Sequence, residues 1–226
     1  MWPAAFESAA PWRGFPTFRG QSNFPGWWWW ATTGGHVGHE SWLERDHLML
    51  LDFDRAVVGL SSQPFRLSWD AGGVRRRHVP DFFARLADGS GVVVDVRAGD
   101  RIGAQDAAAF EATARACDLA GWQFRRVGAV GPVLLANVRW LAGYRHPRYA
   151  VRVAAKACRE VFGTGLPLIE GARLLGDPAA VAQLVGFQNL ATGPDLGFYA
   201  ARSYSLMRPP RTGRRLIRSR ERSATG

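Results

Sequence analysis

Residues 78–97 read HVPDFFARLADGSGVVVDVR, and two carboxylates in this stretch are placed to do chemistry. Asp81 follows Pro80 late in one strand-like segment. Asp95 stands near the end of the next, inside an apolar run. The turn Asp88-Gly89-Ser90-Gly91 joins the two segments, so they are expected to be antiparallel neighbours. Carboxylates brought together in this way repel one another unless a cation sits between them. Mg²⁺, with Mn²⁺ as a substitute, is the natural choice, because both are hard ions that prefer oxygen. Such an ion lowers the pKa of a bound water and offsets charge on a phosphate in transfer. The peptide carbonyl of Val96 offers a further oxygen.

Asp95 carries a signal of its own. A carboxylate in VVVDV reads as buried, and a buried carboxylate needs a metal, a hydrogen-bond network or a cation. Taken singly, Asp95 would be served by a salt bridge, and Asp81 would be an ordinary strand-end aspartate. A shared metal site accounts for both. A third acid is expected from the first helix. Glu44 is the candidate and Glu40 the reserve. Ser41-x-x-Glu44 also has the form of a capping box, which would turn the glutamate back over the helix start.

The elements that must position these groups are legible in outline. SWLERDHLMLL, about residues 41–51, reads as a helix with Leu43, Leu50 and Leu51 on one face and Leu48 at its edge. AVVGL and QPFRLSW read as strands, RRRHVPDFFARLA as a third, and GVVVDVR as a buried central strand. An alanine-rich helix over 104–120 is stopped by Gly121. WQFRRVG is a fifth strand, and PVLLANVRWLAGY a helix with Pro132 in its first turn. The order predicts an α/β core with a mixed sheet flanked by helices over residues 40–147. Residues 1–39, rich in Pro, Gly and aromatics, read as an extended arm. Within it WWWW suits a strand with alternate rings buried, and packing on the domain is favoured over base stacking. Residues 148–207 read as a small, mostly helical module, with helices near 149–162, 168–175 and 178–190. Residues 208–226 hold seven arginines and one acid and read as a disordered basic tail.

Charge points to the partner. The chain of 226 residues carries a formal net charge of +10. Arginine replaces lysine almost throughout, as high-GC coding would favour, but codon bias alone does not create such a surplus. A polyanion, most commonly nucleic acid, is the expected partner. Cys117 and Cys158 lack metal spacing and read as buried apolar residues in a reducing compartment. No apolar run is long enough to span a membrane, and no signal peptide is evident, so a cytoplasmic protein without a membrane partner is expected. His36, His39, His47, His78 and His146 lack metal-motif context and read as structural or solvent-exposed.

The runs ESWLERDHLMLLDFD, SSQPFRLSW and RRRHVPDFFARLADGSGVVVDVR together resemble TnsA-type endonuclease subunits of heteromeric transposases, members of the PD-(D/E)xK, restriction-endonuclease-like superfamily. The resemblance extends to GQSNFPGWWWWATTG, GWQFRRVG and ANVRWLAGYRHPR, and covers about residues 15–148. It implies a restriction-endonuclease-like core in which Glu44, Asp81 and Asp95 ligate one or two Mg²⁺ ions. It implies that Arg97 stands at the position of the catalytic lysine and that Gln63 is a cleft residue. It also implies one-strand cutting at transposon ends, with a DDE transposase subunit and an AAA+ ATPase regulator as partners. Arg97 can offset charge but cannot act as a base at neutral pH.

The expectation is therefore a Mg²⁺-dependent DNA endonuclease with Asp81, Asp95, Glu44 and Arg97 as catalytic residues. Arg75, Arg76 and Arg77, which alternate sides on a strand, are candidates for phosphate contact on double-stranded DNA. The readings beside it are a catalytically degenerate DNA-binding and assembly subunit of the same fold, and a stand-alone restriction or repair nuclease.

Overall fold

A computed structural model describes residues 2–176, except 3, 16, 22, 100, 101, 147, 149–155, 158, 159, 163–165 and 167. The expected helix at 178–190, the basic tail and Cys158 lie outside the described residues. Eight strands run in chain order: β1 (Gly26–Trp30), β2 (Gly35–His39), β3 (Val57–Ser62), β4 (Leu67–Ala71), β5 (Val74–His78), β6 (Phe82–Leu86), β7 (Gly91–Val96) and β8 (Gln123–Val127). The helices are α1 (Trp42–Phe53), α2 (Ala104–Ala120), α3 (Pro132–Ala142) and α4 (Leu168–Leu175).

The central sheet has the order β3-β6-β7-β8. β3, β6 and β7 pair antiparallel, and β8 joins β7 in parallel. The mixed sheet follows from the connections. A tight turn makes the β6–β7 hairpin, whereas β7 reaches β8 through α2, a crossover that returns the chain in the same direction. Strand alternation divides the sheet into two buried faces. Phe82, Ala84, Val92 and Val94 pack with Leu48 and Leu51 of α1 and with Trp30 and Val37 of the β1–β2 hairpin. Phe83 and Val93 pack with Cys117 of α2, with Trp122, and with Phe6 from the N-terminal segment. α3 closes against α1 through Met49, Val138 and Ala142.

The tryptophan run is β1, in a hairpin with β2. Trp30 is wholly buried, so packing is the fate of that ring, whereas Trp27 is exposed. α2 has the limits read from the sequence, with Gly121 in the left-handed region at φ 73° as its C-cap. Three local readings need correction. RRRHVPDFFARLA is two strands, because Pro80 lacks the N–H that a continuous ladder needs and β5 ends at His78. QPFRLSW is extended in the ladder only from Leu67. In α1 the core residues are Leu48, Met49 and Leu51, with Leu43 and Leu50 only half-buried, so the buried stripe is rotated from the expected one. Among the described residues no helix is long and apolar enough to cross a membrane.

Candidate functional site

Asp81 sits between Pro80 and the start of β6. The ladder pairs Phe82 with Val94, so one further step sets Asp81 opposite Asp95. The short turn does bring the two carboxylates face to face. Asp95 is 2% exposed. Asp81 is partly buried, and its Oδ2 accepts the Val96 N–H at 2.7 Å. Burial, then the charge of Asp95, then that of Glu44, hold the Asp81 carboxyl well above the usual carboxylate range. Its proton therefore leaves late, as expected of an acid among acids.

Glu44 reaches the same field from α1. Ser41 is the N-cap: its Oγ accepts the Glu44 N–H at 3.2 Å and donates to Glu44 Oε1 at 2.8 Å. Glu44 Oε2 accepts the Glu40 N–H at 2.7 Å, so the glutamate turns back over the helix start as expected, but onto the residue before the N-cap rather than onto the Ser41 N–H of a strict capping box. Burial is the main cause that raises the Glu44 carboxyl, and the nearby Glu40 adds to it. Glu40 is held by Arg13 at 2.8 Å and by Gln63 Nε2 at 3.0 Å.

These groups line a cleft of about 590 Å³, together with Arg77, His78, Arg97 and Asp106. None of Glu44, Asp81 and Asp95 forms an ion pair with an arginine or lysine among the described residues. Asp95 is instead held by His78, whose Nε2 lies 3.0 and 2.9 Å from the two carboxylate oxygens. His78 had been read only as structural or exposed. Its placement beside Asp95 depends on the β4–β5 hairpin, which local sequence did not reveal. The HVPD run was the one available signal.

Arg97 follows β7 and lines the cleft, but its Nη2 donates to Asp106 Oδ1 at 2.6 Å. That hydrogen bond is the chief cause of the raised guanidinium pKa. Gln63 does not line the cleft and works as a strut. It is 4% exposed, with φ 47°, a left-handed conformation uncommon outside glycine. Its N–H donates to the Asp81 carbonyl at 2.8 Å, and its carbonyl accepts the Trp12 N–H at 2.9 Å. It thereby ties the N-terminal segment, Glu40 and Asp81 together.

Arg75, Arg76 and Arg77 are exposed on β5 and make no ion pair with a described residue. Arg139 and Arg145 serve α1, through Asp46 and Asp52. His47 Nε2 donates to the Gly128 carbonyl at 2.7 Å, and burial pushes its pKa down, consistent with a structural role. Cys117 is buried and its thiol is pushed up to about 12, so it behaves as a small apolar group.

Among the described residues, no three His, Cys, Asp or Glu side chains stand ready as a group to hold a metal ion. The helix cap engages both oxygens of Glu44, and His78 engages both oxygens of Asp95. No protein-family model matches the chain, and no curated protein is similar to it.

Proposed function

We propose that this chain is a metal-dependent DNA endonuclease subunit of the TnsA type, with a restriction-endonuclease-like core. The observation that carries the reading is Asp81 opposite Asp95, with Glu44 in the same field and, among the described residues, no arginine or lysine paired to any of them. A stable protein has little reason to keep three acids in mutual repulsion. Hard carboxylate oxygens in this arrangement fit Mg²⁺ or Mn²⁺. Asp81 and Asp95 would be the principal ligands, with Glu44 joining once its cap loosens. When bound, the ion would supply an activated water and charge compensation at phosphorus.

The protein's own groups supply the rest. Arg97 offsets charge on the phosphate, and its fixed protonation excludes it from acting as base. The basic β5 strand beside the cleft holds the DNA backbone. One-strand cutting at transposon ends, in concert with a DDE transposase subunit and an AAA+ ATPase regulator, belongs to the same proposal and rests on the resemblance. The Arg97–Asp106 pair favours one second reading, a DNA-binding and assembly subunit without turnover, because it draws Arg97 to the cleft's edge.

Calorimetric titration with Mn²⁺ tests the leading reading. The parent should bind, and Asp81→Ala and Asp95→Ala should each weaken binding at least tenfold while circular dichroism stays unchanged. If the parent fails to bind even with duplex DNA present, the assembly reading replaces it. Gain of cleavage by Arg97→Lys where the parent has none would point the same way.

A further inference from the structure

β4 and β5 form a two-stranded ribbon that is not hydrogen-bonded to the central sheet. Its turn is Gly72-Gly73, with φ of 64° and 83°. Two successive positive values define the tight turn that suits a twisted hairpin, and glycine adopts them without strain. The first four residues of β5 are exposed. The ribbon pairs Asp70 with Arg75, Trp69 with Arg76 and Ser68 with Arg77. Paired residues share a face, and successive residues alternate. The arginine triplet is therefore not one patch. Arg75 and Arg77 share a face with Asp70 and Ser68, while Arg76 lies on the opposite face beside Trp69.

The neighbours sharpen the division. Asp70 is the acid facing Arg75, yet its Oδ1 accepts the Gly73 N–H at 2.8 Å and serves the turn. Arg75 is left without an ionic partner among the described residues. Arg77 lines the acid cleft itself. Across the ribbon, Arg76 is paired with the half-buried Trp69, on the face away from Arg75 and Arg77.

We infer that the β4–β5 ribbon is a phosphate-binding track for double-stranded DNA, in which Arg75 and Arg77 contact the backbone and Arg76 does not. Residues two apart on a strand are spaced by ~6.8 Å. That is about two charge spacings of one DNA strand along the duplex axis. The track leads into the cleft, because its inner arginine is a cleft residue and its outer one continues the same face. A two-stranded ribbon is also a shape that a DNA groove admits. The identity of the polyanion rests on the proposed nuclease reading, but the split between alternate arginines rests on the ribbon's register alone.

The test uses the full chain in EDTA and a fluorescently labelled duplex of arbitrary sequence, with anisotropy read across a salt series. Each phosphate contact contributes about 0.9 to the slope of log K against log salt. Arg75→Gln/Arg77→Gln should lower that slope by about 1.8, whereas Arg76→Gln should leave it within about 0.2 of the parent. Arg75→Lys/Arg77→Lys should restore the slope, since a point charge is enough for counterion release. Thermal melting of each variant checks the fold. Equal losses for all three arginines, or no loss for any, would overturn the inference; the second outcome would assign the ribbon to an acidic protein partner. Mn²⁺ titration of the same variants separates the two proposals. A track that holds DNA beside acids that bind no metal refutes the nuclease reading and leaves the track standing.

Discussion

Helix α1 carries acids into two regions that treat them in opposite ways. Toward the rear, each buried acid has its own arginine. Asp52 is 1% exposed and meets Arg145 through two hydrogen bonds, at 2.9 and 3.1 Å, while also accepting the Ala31 and Thr32 amides of the β1–β2 turn. Asp46 meets Arg139 in the same forked geometry, at 3.0 and 2.8 Å. At the cleft, Glu44, Asp81 and Asp95 share a field and have no such partner among the described residues. Electrostatics at the rear holds the hairpin, α1 and the end of α3 in place. Electrostatics at the cleft works against the fold, which is what supports the proposed binding role.

The rear pair is the place to break the comparison hardest. Arg145→Ala leaves Asp52 charged, buried and short of its partner, and should cost about 3–5 kcal/mol in chemical denaturation. Arg139→Ala should cost less, about 1 kcal/mol, because the Arg139 side chain is 44% exposed. A loss below about 1 kcal/mol for Arg145→Ala would mean that the rear and cleft acids are not different in kind.

At the cleft, His78 is the nearest thing to a partner. His78→Ala removes both hydrogen bonds to a buried carboxylate and should cost about 1–3 kcal/mol, measured in EDTA. Added Mn²⁺ should recover more of that loss than it adds to the parent, because both Asp95 oxygens become free to ligate. Equal Mn²⁺ stabilisation of parent and variant would show that His78 does not cover the ligand.

Asp81→Asn should move in the other direction. The amide carbonyl still accepts the Val96 N–H, but the charge that Asp95 and Glu44 repel is gone. Relief of about 1 kcal/mol would raise the melting temperature in EDTA by about 2–4 °C for a chain of this size. The pH dependence carries the same sign. Asp81 and Glu44 both have folded-state pKa values raised above the unfolded ones. Their contribution is fully present below the unfolded carboxylate range and is lost as pH rises through the folded values. Without divalent cation, the parent should therefore lose stability as pH climbs above about 4, and Asp81→Asn should flatten that fall. A variant less stable than the parent at neutral pH would remove the repulsion from the argument.

These effects also mark how far the sequence could be read. α2 was legible to the residue, because its Gly121 stop is a local signal with a local cause. The Ser41–Glu44 cap and the Asp81–Asp95 juxtaposition were legible for the same reason: a few residues or one tight turn separate the partners. Arg145 and Asp52 are 93 residues apart, and nothing in either neighbourhood announces the other. His78 reaches Asp95 only because Pro80 ends β5 and lets the ribbon leave the sheet, which a continuous-strand reading conceals. Gln63 touches the cleft through Glu40, and its tie to Asp81 runs through a backbone N–H and a positive φ that no residue type encodes.

The smallest expected change sits at the cleft's edge and bears most directly on mechanism. Arg97 and Asp106 form a short but solvent-washed pair, with side chains 47% and 28% exposed. Asp106→Asn keeps an oxygen for the Gly103 N–H, so the start of α2 stays capped. Loss of the ion pair alone should cost no more than about 0.5 kcal/mol. Arg97 would then be released beside Asp81 and Asp95, whose charges it already feels. If Arg97 serves a phosphate, duplex affinity in EDTA should rise and the salt slope should steepen by about 0.9, one added contact. An unchanged slope with unchanged stability would leave Arg97 as the outer pillar of α2, and the chemistry of the cleft would have to do without it.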